Sequence, residues 1–175
     1  MENNVDEKYV KVLLYAYPSL QTLIKQYKEH IYERAVHSYG GKQDAESAAE
    51  YIAGQIIQMQ TLEWVKEKLE KTFSKLMETE RLMVAIRYFG LKRKSAKDTL
   101  MKAGKQFSSE RSYFRSQQKL LKKIAAFMQA AGLDNAMFEG EIAVIEELQH
   151  ICRYVQKGRD QKMLKREKDL ALKGA

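Results

Sequence analysis

The sequence predicts an all-α protein built as a helical bundle, and three observations support this. A single proline, Pro18, interrupts the 175 residues. Apolar side chains recur every three to four positions through most of the chain, which is the spacing of one face of an α-helix. Leu, Lys, Glu, Ala and Gln, which favour helices, are abundant. Hydrophobic residues make up 45% of the chain, enough at this length to bury a core without disulfides.

Residues 1–77 are predicted to form an N-terminal helical region. Apolar stripes predict two helices that meet near Pro18, and Gly40-Gly41 is expected to end the second one. Asp44 or Ser47 is expected to cap the next helix, because their side-chain oxygens can accept hydrogen bonds from its first free amides. The region carries tyrosine and aliphatic stripes but no catalytic pattern. We therefore expect it to serve homodimerisation or contact with another protein.

Residues 78–128 are predicted to contain short helices with a basic loop between them. The helix "ERLMVAIRYFG" is expected to turn Leu82, Met83, Ile86 and Phe89 inward and to stop at Gly90. The loop "LKRKS" follows, and Ser95 is expected to cap "AKDTLMKAGKQF". Ser109 is expected to cap the last helix, "SERSYFRSQQKLLKKI". The spacing of that helix assigns one set of side chains to the core: Tyr113, Leu120, Leu121, Ile124 and Met128.

Residues 129–175 are predicted to form an acidic helix and a basic tail. Gly132 marks a turn, and residues 135–158 follow as one amphipathic helix. The tail from Arg159 onward has enough charged residues to be helical but little apolar surface. We expect it to be mobile or to depend on a partner.

The net charge of +8 is unevenly distributed along the chain. Residues 81–128 contain thirteen basic and two acidic residues, whereas residues 133–152 contain five acidic residues and no Lys or Arg. A basic block of this kind is typical of a surface that binds a phosphate backbone or another polyanion.

Two segments of the basic block resemble known transcription proteins. "KLMETERLMVAIRYFG" resembles the opening of the fourth region of bacterial sigma factors, where an apolar helix ends in Arg-Tyr-Phe-Gly, here Arg87 to Gly90. "SERSYFRSQQKLLKKIA" is similar to the last helix of sigma-like phage late transcriptional regulators of the ArpU and RinA type, which starts at a serine and continues Thr-Tyr-Tyr-Arg. The resemblance covers about residues 72–125. It implies a helix-turn-helix, in which Ala103 fits the usual alanine and Phe107 stands in place of the usual glycine.

The resemblance implies a sequence-specific DNA-binding transcriptional regulator whose recognition helix spans residues 109–124. The first turn of such a helix suits base edges, and basic residues further along suit phosphates. An alternative stays open: a non-catalytic helical adaptor that binds a protein such as RNA polymerase, with the acidic helix covering the basic surface or engaging a partner. The residues expected to bind double-stranded DNA are Lys92, Arg93, Lys94, Ser109, Glu110, Arg111, Ser112, Arg115, Gln118, Lys119, Lys122 and Lys123.

Other functions find little support in the sequence. His30, Glu33 and His37 share a helical face, but no second set of ligands accompanies them, so we expect no metal. Glycine-rich phosphate loops, nucleophile elbows and acid–base pairs are absent from the sequence, and we expect neither a cofactor nor an enzyme. The acidic N-terminus does not resemble a secretory signal, no apolar run is long enough to span a membrane, and a lone Cys152 suits a reduced thiol. We therefore expect a cytoplasmic protein.

Overall fold

Helices account for all regular secondary structure in the described part of the chain. The computed structural model describes residues 5–38, 44–90 and 107–173, with side chains described up to residue 161. The elements are α1 (Glu7–Ser38), α2 (Ala45–Ser74), α3 (Glu78–Tyr88), α4 (Glu110–Ala130), a single turn α5 (Asn135–Met137), a π-helical turn (Phe138–Ile142) and α6 (Glu146–Lys173). The predicted all-α class is confirmed. The predictions for Gly40-Gly41, Ser95, Ala103 and the loop with Lys92, Arg93 and Lys94 concern residues outside the described ranges.

The prediction of two helices that meet near Pro18 is wrong. Residues 7–38 form one continuous helix with Pro18 inside it. Pro18 is exposed, while Leu14 and Leu20 on either side of it are fully buried. A proline inside a helix removes one hydrogen bond and crowds the preceding turn. Here the apolar stripe continues in register across the proline, so packing of the whole stripe maintains the helix.

Helices α1 and α2 form an antiparallel hairpin. Asp44 caps α2: its side chain accepts hydrogen bonds from the backbone N–H of Glu46 at 3.4 Å and from the hydroxyl of Ser47 at 3.3 Å. Tyr27 of α1 lies 3.0 Å from Gln58 of α2, hydroxyl to amide oxygen. The expected cap at Asp44 is confirmed.

Helix α3 begins and ends close to the predicted positions. The backbone N–H of Met77 donates to Glu80 at 2.9 Å, and Gly90 adopts a positive φ of 71°, which glycine tolerates and other residues rarely do. The inward face is rotated from the prediction, however. Met83 is buried as expected, but it is joined by Val84 and Tyr88, while Leu82, Ile86 and Phe89 are half-buried at the edge of the core.

The predicted continuous helix over residues 135–158 is wrong. Gly132 forms the expected turn with φ of 91°, but α5 gives way at once to the π-helical turn, and residues 143–145 separate that turn from α6. Gly140 weakens helical propensity within this stretch. The stacking of Phe138 on Tyr9, with ring centroids 4.0 Å apart, and the burial of Ile142 and Ile145 determine the local path instead.

One hydrophobic cluster holds these elements together. It contains Leu14 from the predicted first region, Met83 and Ile124 from the second, and Leu133 and Ile145 from the third. Helix α1 supplies more of this cluster than any other described helix, and it contacts α2, α3, α4 and α6. The boundaries at 77/78 and 128/129 stay predictions, but the three ranges share a core.

Candidate nucleic-acid interface

Helix α4 packs one long face into the core. Leu120, Leu121, Ile124 and Met128 are buried, as the spacing predicted. Tyr113 is half-buried at the start of this face, where its ring meets Phe107 edge-on at a centroid distance of 5.2 Å. This packing fixes which side of α4 faces outward.

A buried amide fixes α4 against α3. The Nε2 of Gln117 donates to the backbone carbonyl of Met83 at 3.2 Å and to the hydroxyl of Tyr113 at 2.9 Å. Gln117 is buried, so loss of either bond would leave a polar group without its partner. The sequence does show an amide on an otherwise apolar stripe, which is the signal that points to such a bond.

An ion pair adds a second link between the two helices. The Nζ of Lys123 lies 2.8 and 2.9 Å from the two carboxylate oxygens of Glu80, whose side chain is only 15% exposed. The same ammonium lies 5.8 Å from the ring centroid of Phe127. Lys123 was predicted to contact DNA, and the structure places it in the contact between α3 and α4.

The outward face of α4 carries a stripe of polar and basic side chains. Arg111, Arg115, Gln118 and Lys122 follow the spacing i, i+4, i+7 and i+11, and all four are exposed. Lys119 is exposed beside them. Four of these side chains are cations: Arg111, Arg115, Lys119 and Lys122. None of the four forms an ion pair with another residue in the described ranges. We call Arg111, Arg115, Gln118 and Lys122 the α4 stripe.

The first turn of α4 is capped as predicted. Ser109 accepts a hydrogen bond from the backbone N–H of Ser112 at 3.2 Å, and Glu110 is exposed beside it. Phe107 has a negative φ, as do all described non-glycine residues, so it does not reproduce the left-handed backbone that favours glycine. Phe114 is 51% exposed and borders the α4 stripe. The turn that would precede this helix in a helix-turn-helix falls in residues 91–106, outside the described ranges.

The chemistry of the α4 stripe suits an anionic partner that also presents hydrogen-bonding edges. Arginine can donate two parallel hydrogen bonds to guanine, glutamine can pair with adenine, and lysine binds phosphate as a point charge. The stripe extends about 16 Å along the helix, given a rise of ~1.5 Å per residue. An α-helix fits the major groove of B-DNA, which is about 12 Å wide.

Three other titratable side chains, away from α4, are buried or make local contacts. Burial, together with the nearby carboxylate of Glu147, raises the pKa of Tyr27. Burial also raises the pKa of the Cys152 thiol, which disfavours the reactive thiolate. His30 lies 2.9 Å from the hydroxyl of Tyr51 through its Nε2. Across the described ranges, no three His, Cys, Asp or Glu side chains converge in a way that would hold a metal ion.

Comparisons of the chain with protein-family models, curated proteins and solved structures give no match. Within the described ranges, none of the helices combines the length and apolar character needed to cross a membrane.

Proposed function

We propose that this chain is a sequence-specific DNA-binding transcriptional regulator of the sigma-like type, which reads duplex DNA with α4. The observation that carries the proposal is the α4 stripe: three cations and one amide at helical spacing on the exposed face of a helix, with no ion pair to another residue in the described ranges. A one-sided stripe on a firmly anchored helix suits a phosphate-rich groove.

Each position along the stripe has a proposed role. Arg111 lies in the first turn and is closest to base edges, where a guanidinium can bind guanine. Gln118 lies two turns further along the same face and suits adenine. Lys122 lies a further turn along and binds phosphate, which positions the protein without reading sequence. Arg115 lies one turn after Arg111 and is assigned to phosphate as well.

The contact between α3 and α4 supports the sigma-like part of the proposal. Arg87 and Tyr88 end helix α3, and Phe89 and Gly90 follow it; these four residues carry the resemblance. Helix α3 contacts α4 through the Met83–Gln117 and Glu80–Lys123 pairs. In a helix-turn-helix of this type the earlier helix supports the recognition helix. Residues 91–106 would supply the rest of the motif.

The test is binding of single-residue variants to two duplexes, one selected from a random pool and one scrambled. Arg111→Ala is expected to cost about 1–3 kcal/mol on the selected duplex and little on the scrambled one. Lys122→Ala is expected to weaken binding to both duplexes equally. It should also reduce the dependence of log affinity on log salt by about one phosphate contact.

Each outcome is decisive for the proposal. Equal losses on both duplexes for Arg111→Ala and Lys122→Ala would leave only a nonspecific basic surface. If neither variant loses affinity, α4 does not bind DNA, and the adaptor function takes first place.

Exposed apolar side chains support a protein-binding function. They lie at the end of the α1–α2 hairpin where α1 stops and α2 begins. We define the distal hairpin as residues 28–38 of α1 together with Asp44 and residues 45–58 of α2. Tyr32 is 71% exposed and Val36 52% exposed, one turn apart on α1, and Ile57 on α2 is 57% exposed. Among the described contacts, every hydrogen bond, ion pair and ring contact of residues 28–38 stays within α1 or reaches α2.

We propose that the distal hairpin binds a second copy of the chain, as expected for a regulator that recognises paired half-sites. Tyr32→Ser/Val36→Ser should then lower the mass measured by sedimentation equilibrium, whereas Val144→Ser, at another exposed apolar position, should not. A wild-type protein that sediments as a monomer would exclude the dimer. Capture of purified RNA polymerase by the wild type, lost in the double variant, would support the adaptor instead.

A further inference from the structure

A large apolar side chain lies on the outward face of α4, among polar and charged neighbours. Phe114 is 51% exposed, and it is the only large apolar side chain exposed along α4, all of whose residues the structure describes. It follows Arg111 by three positions and precedes Gln118 by four. Side chains at these spacings share one face of a helix. Phe114 therefore belongs to the same surface as the α4 stripe.

The aromatic residues at the start of α4 anchor the backbone that carries this ring. Phe114 lies edge-on to Tyr113, with ring centroids 5.8 Å apart. Tyr113 lies edge-on to Phe107, and its hydroxyl accepts a hydrogen bond from the buried Gln117. An aromatic side chain has only two rotatable bonds, so it loses little conformational entropy on binding. The exposed ring is thus suited to a specific contact.

The surroundings of Phe114 limit the kind of partner that the ring suits. The centre of a stable protein interface is apolar and depleted of charge, whereas Phe114 lies beside Arg111, Arg115 and Gln118. In the major groove, thymine presents an apolar C5 methyl group next to hydrogen-bonding base edges, and phenylalanine is one of the side chains that contact this methyl. A groove containing thymine therefore offers an apolar group to the ring and hydrogen-bonding groups to the stripe.

We infer that Phe114 is a specificity-determining residue that contacts the C5 methyl group of a thymine in the duplex bound by α4. This inference rests on the proposed function. Arg111 and Gln118, on either side of Phe114, lie about 10 Å apart along the helix at ~1.5 Å per residue. We therefore expect the thymine within the few base pairs that these two residues read. The ring adds a preference for thymine over a base without the methyl group, which hydrogen bonds from the stripe do not supply.

The test removes one methyl group at a time from the DNA. Each thymine of the selected duplex is replaced in turn by deoxyuridine, which lacks the C5 methyl group and keeps the hydrogen-bonding groups. Every duplex is titrated with the wild type, Phe114→Ala and Lys122→Ala. Lys122→Ala is the control, because its proposed phosphate contact lies two turns further along α4 and does not involve the methyl group. Urea unfolding and capture of purified RNA polymerase are measured for the same three proteins.

At one thymine, the replacement should weaken binding by the wild type about 4-fold, the value for losing the burial of one methyl group. The same replacement should leave the affinity of Phe114→Ala unchanged, whereas Lys122→Ala should keep the 4-fold loss. Phe114→Ala should also keep the wild-type urea midpoint, because the ring is exposed.

Three results would overturn this inference alone, provided that Arg111→Ala still weakens binding to the selected duplex. The first is a selected site without thymine, or one in which every replacement affects the wild type and Phe114→Ala equally. The second is a lowered urea midpoint for Phe114→Ala, which would assign the ring to packing. The third is loss of polymerase capture with unchanged duplex affinity, which would assign the ring to a protein contact. A wild-type protein without affinity for duplex DNA would overturn the proposed function as well.

Discussion

Gln117 illustrates how a single buried side chain sets the orientation of the candidate recognition helix. Its amide joins α4 to the Met83 carbonyl of α3 and to Tyr113 within α4. At helical spacing Gln117 lies on the same face as Tyr113, Leu120 and Ile124, but its partner in α3 lies 34 residues away in the sequence. Helical periodicity identifies which face of a helix is buried. It cannot identify the atom of a neighbouring helix that contacts that face.

The neighbouring residues Gln117 and Gln118 offer a matched comparison. Gln117→Ala is expected to lower the free energy of unfolding by about 1–3 kcal/mol, because the Met83 carbonyl and the Tyr113 hydroxyl then lose the amide that donates to them. Gln118→Ala, at an exposed position, should change stability by less than about 0.5 kcal/mol but weaken binding to a selected duplex. Urea unfolding and duplex binding of both variants measure this. Equal stability of the two variants would show that the Gln117 bonds do not hold α4 in place.

A second residue-scale prediction concerns alkaline pH. The hydroxyl of Tyr9 donates to Glu139 at 2.5 Å, and this hydrogen bond, with burial, raises the pKa of Tyr9 to about 12. In the unfolded chain the same group loses its proton near the ordinary value of 10.0. The protonated Tyr9 hydroxyl therefore makes its full contribution to the free energy of unfolding below about pH 10. That contribution declines as the pH rises from there towards about 12.

Tyr9→Phe should lose less stability than the wild type over that pH range, because phenylalanine has no proton to release. Unfolding midpoints measured at pH 8, 10 and 11 compare the two proteins. The pKa values of Tyr15, Tyr17 and Tyr88 are also raised by burial, and they affect both proteins equally. Parallel pH profiles would contradict the role assigned to the Tyr9–Glu139 bond.

At the scale of elements, local sequence signals predicted where helices begin and end more accurately than whether a helix continues without a break. Asp44, Gly90, Ser109 and Gly132 were each identified from the sequence as a cap or a stop, and each has that role in the structure. These signals depend on the residue's own backbone or side chain. The uninterrupted α1 and the π-helical turn depend on burial of apolar residues from distant parts of the chain, which the local sequence does not reveal.

Pro18 gives the element-scale prediction. Pro18→Ala should raise the free energy of unfolding, by up to about 3 kcal/mol, because alanine restores a backbone N–H and removes the steric crowding of the ring. Chemical denaturation measures the change, with exposed Ser19→Ala as the control for a nearby substitution in the same helix. If the chain instead broke at residue 18, Pro18→Ala would leave stability unchanged or lower it.

For the molecule as a whole, the shared core predicts cooperative unfolding. Trp64, the only tryptophan, lies against the turn at Gly132: a Cβ added to that glycine would stand 3.6 Å from its ring. Its fluorescence therefore reports contact between α2 and the turn after α4. Fluorescence and far-UV circular dichroism should give the same urea midpoint. Two separate transitions would mean that residues 1–77 fold independently of the rest.

The central claim is that the α4 stripe contacts duplex DNA, and an NMR titration tests it most directly. One chain has a mass of 20.4 kDa, so amide signals of the deuterated protein can be followed in the proposed dimer while a selected duplex is added. We expect the backbone amides of residues 111–122 and the side-chain amide of Gln118 to shift, while those around Tyr32 and Ile57 on the distal hairpin stay unchanged. Shifts confined to the distal hairpin, or binding that leaves α4 unaffected, would contradict the account.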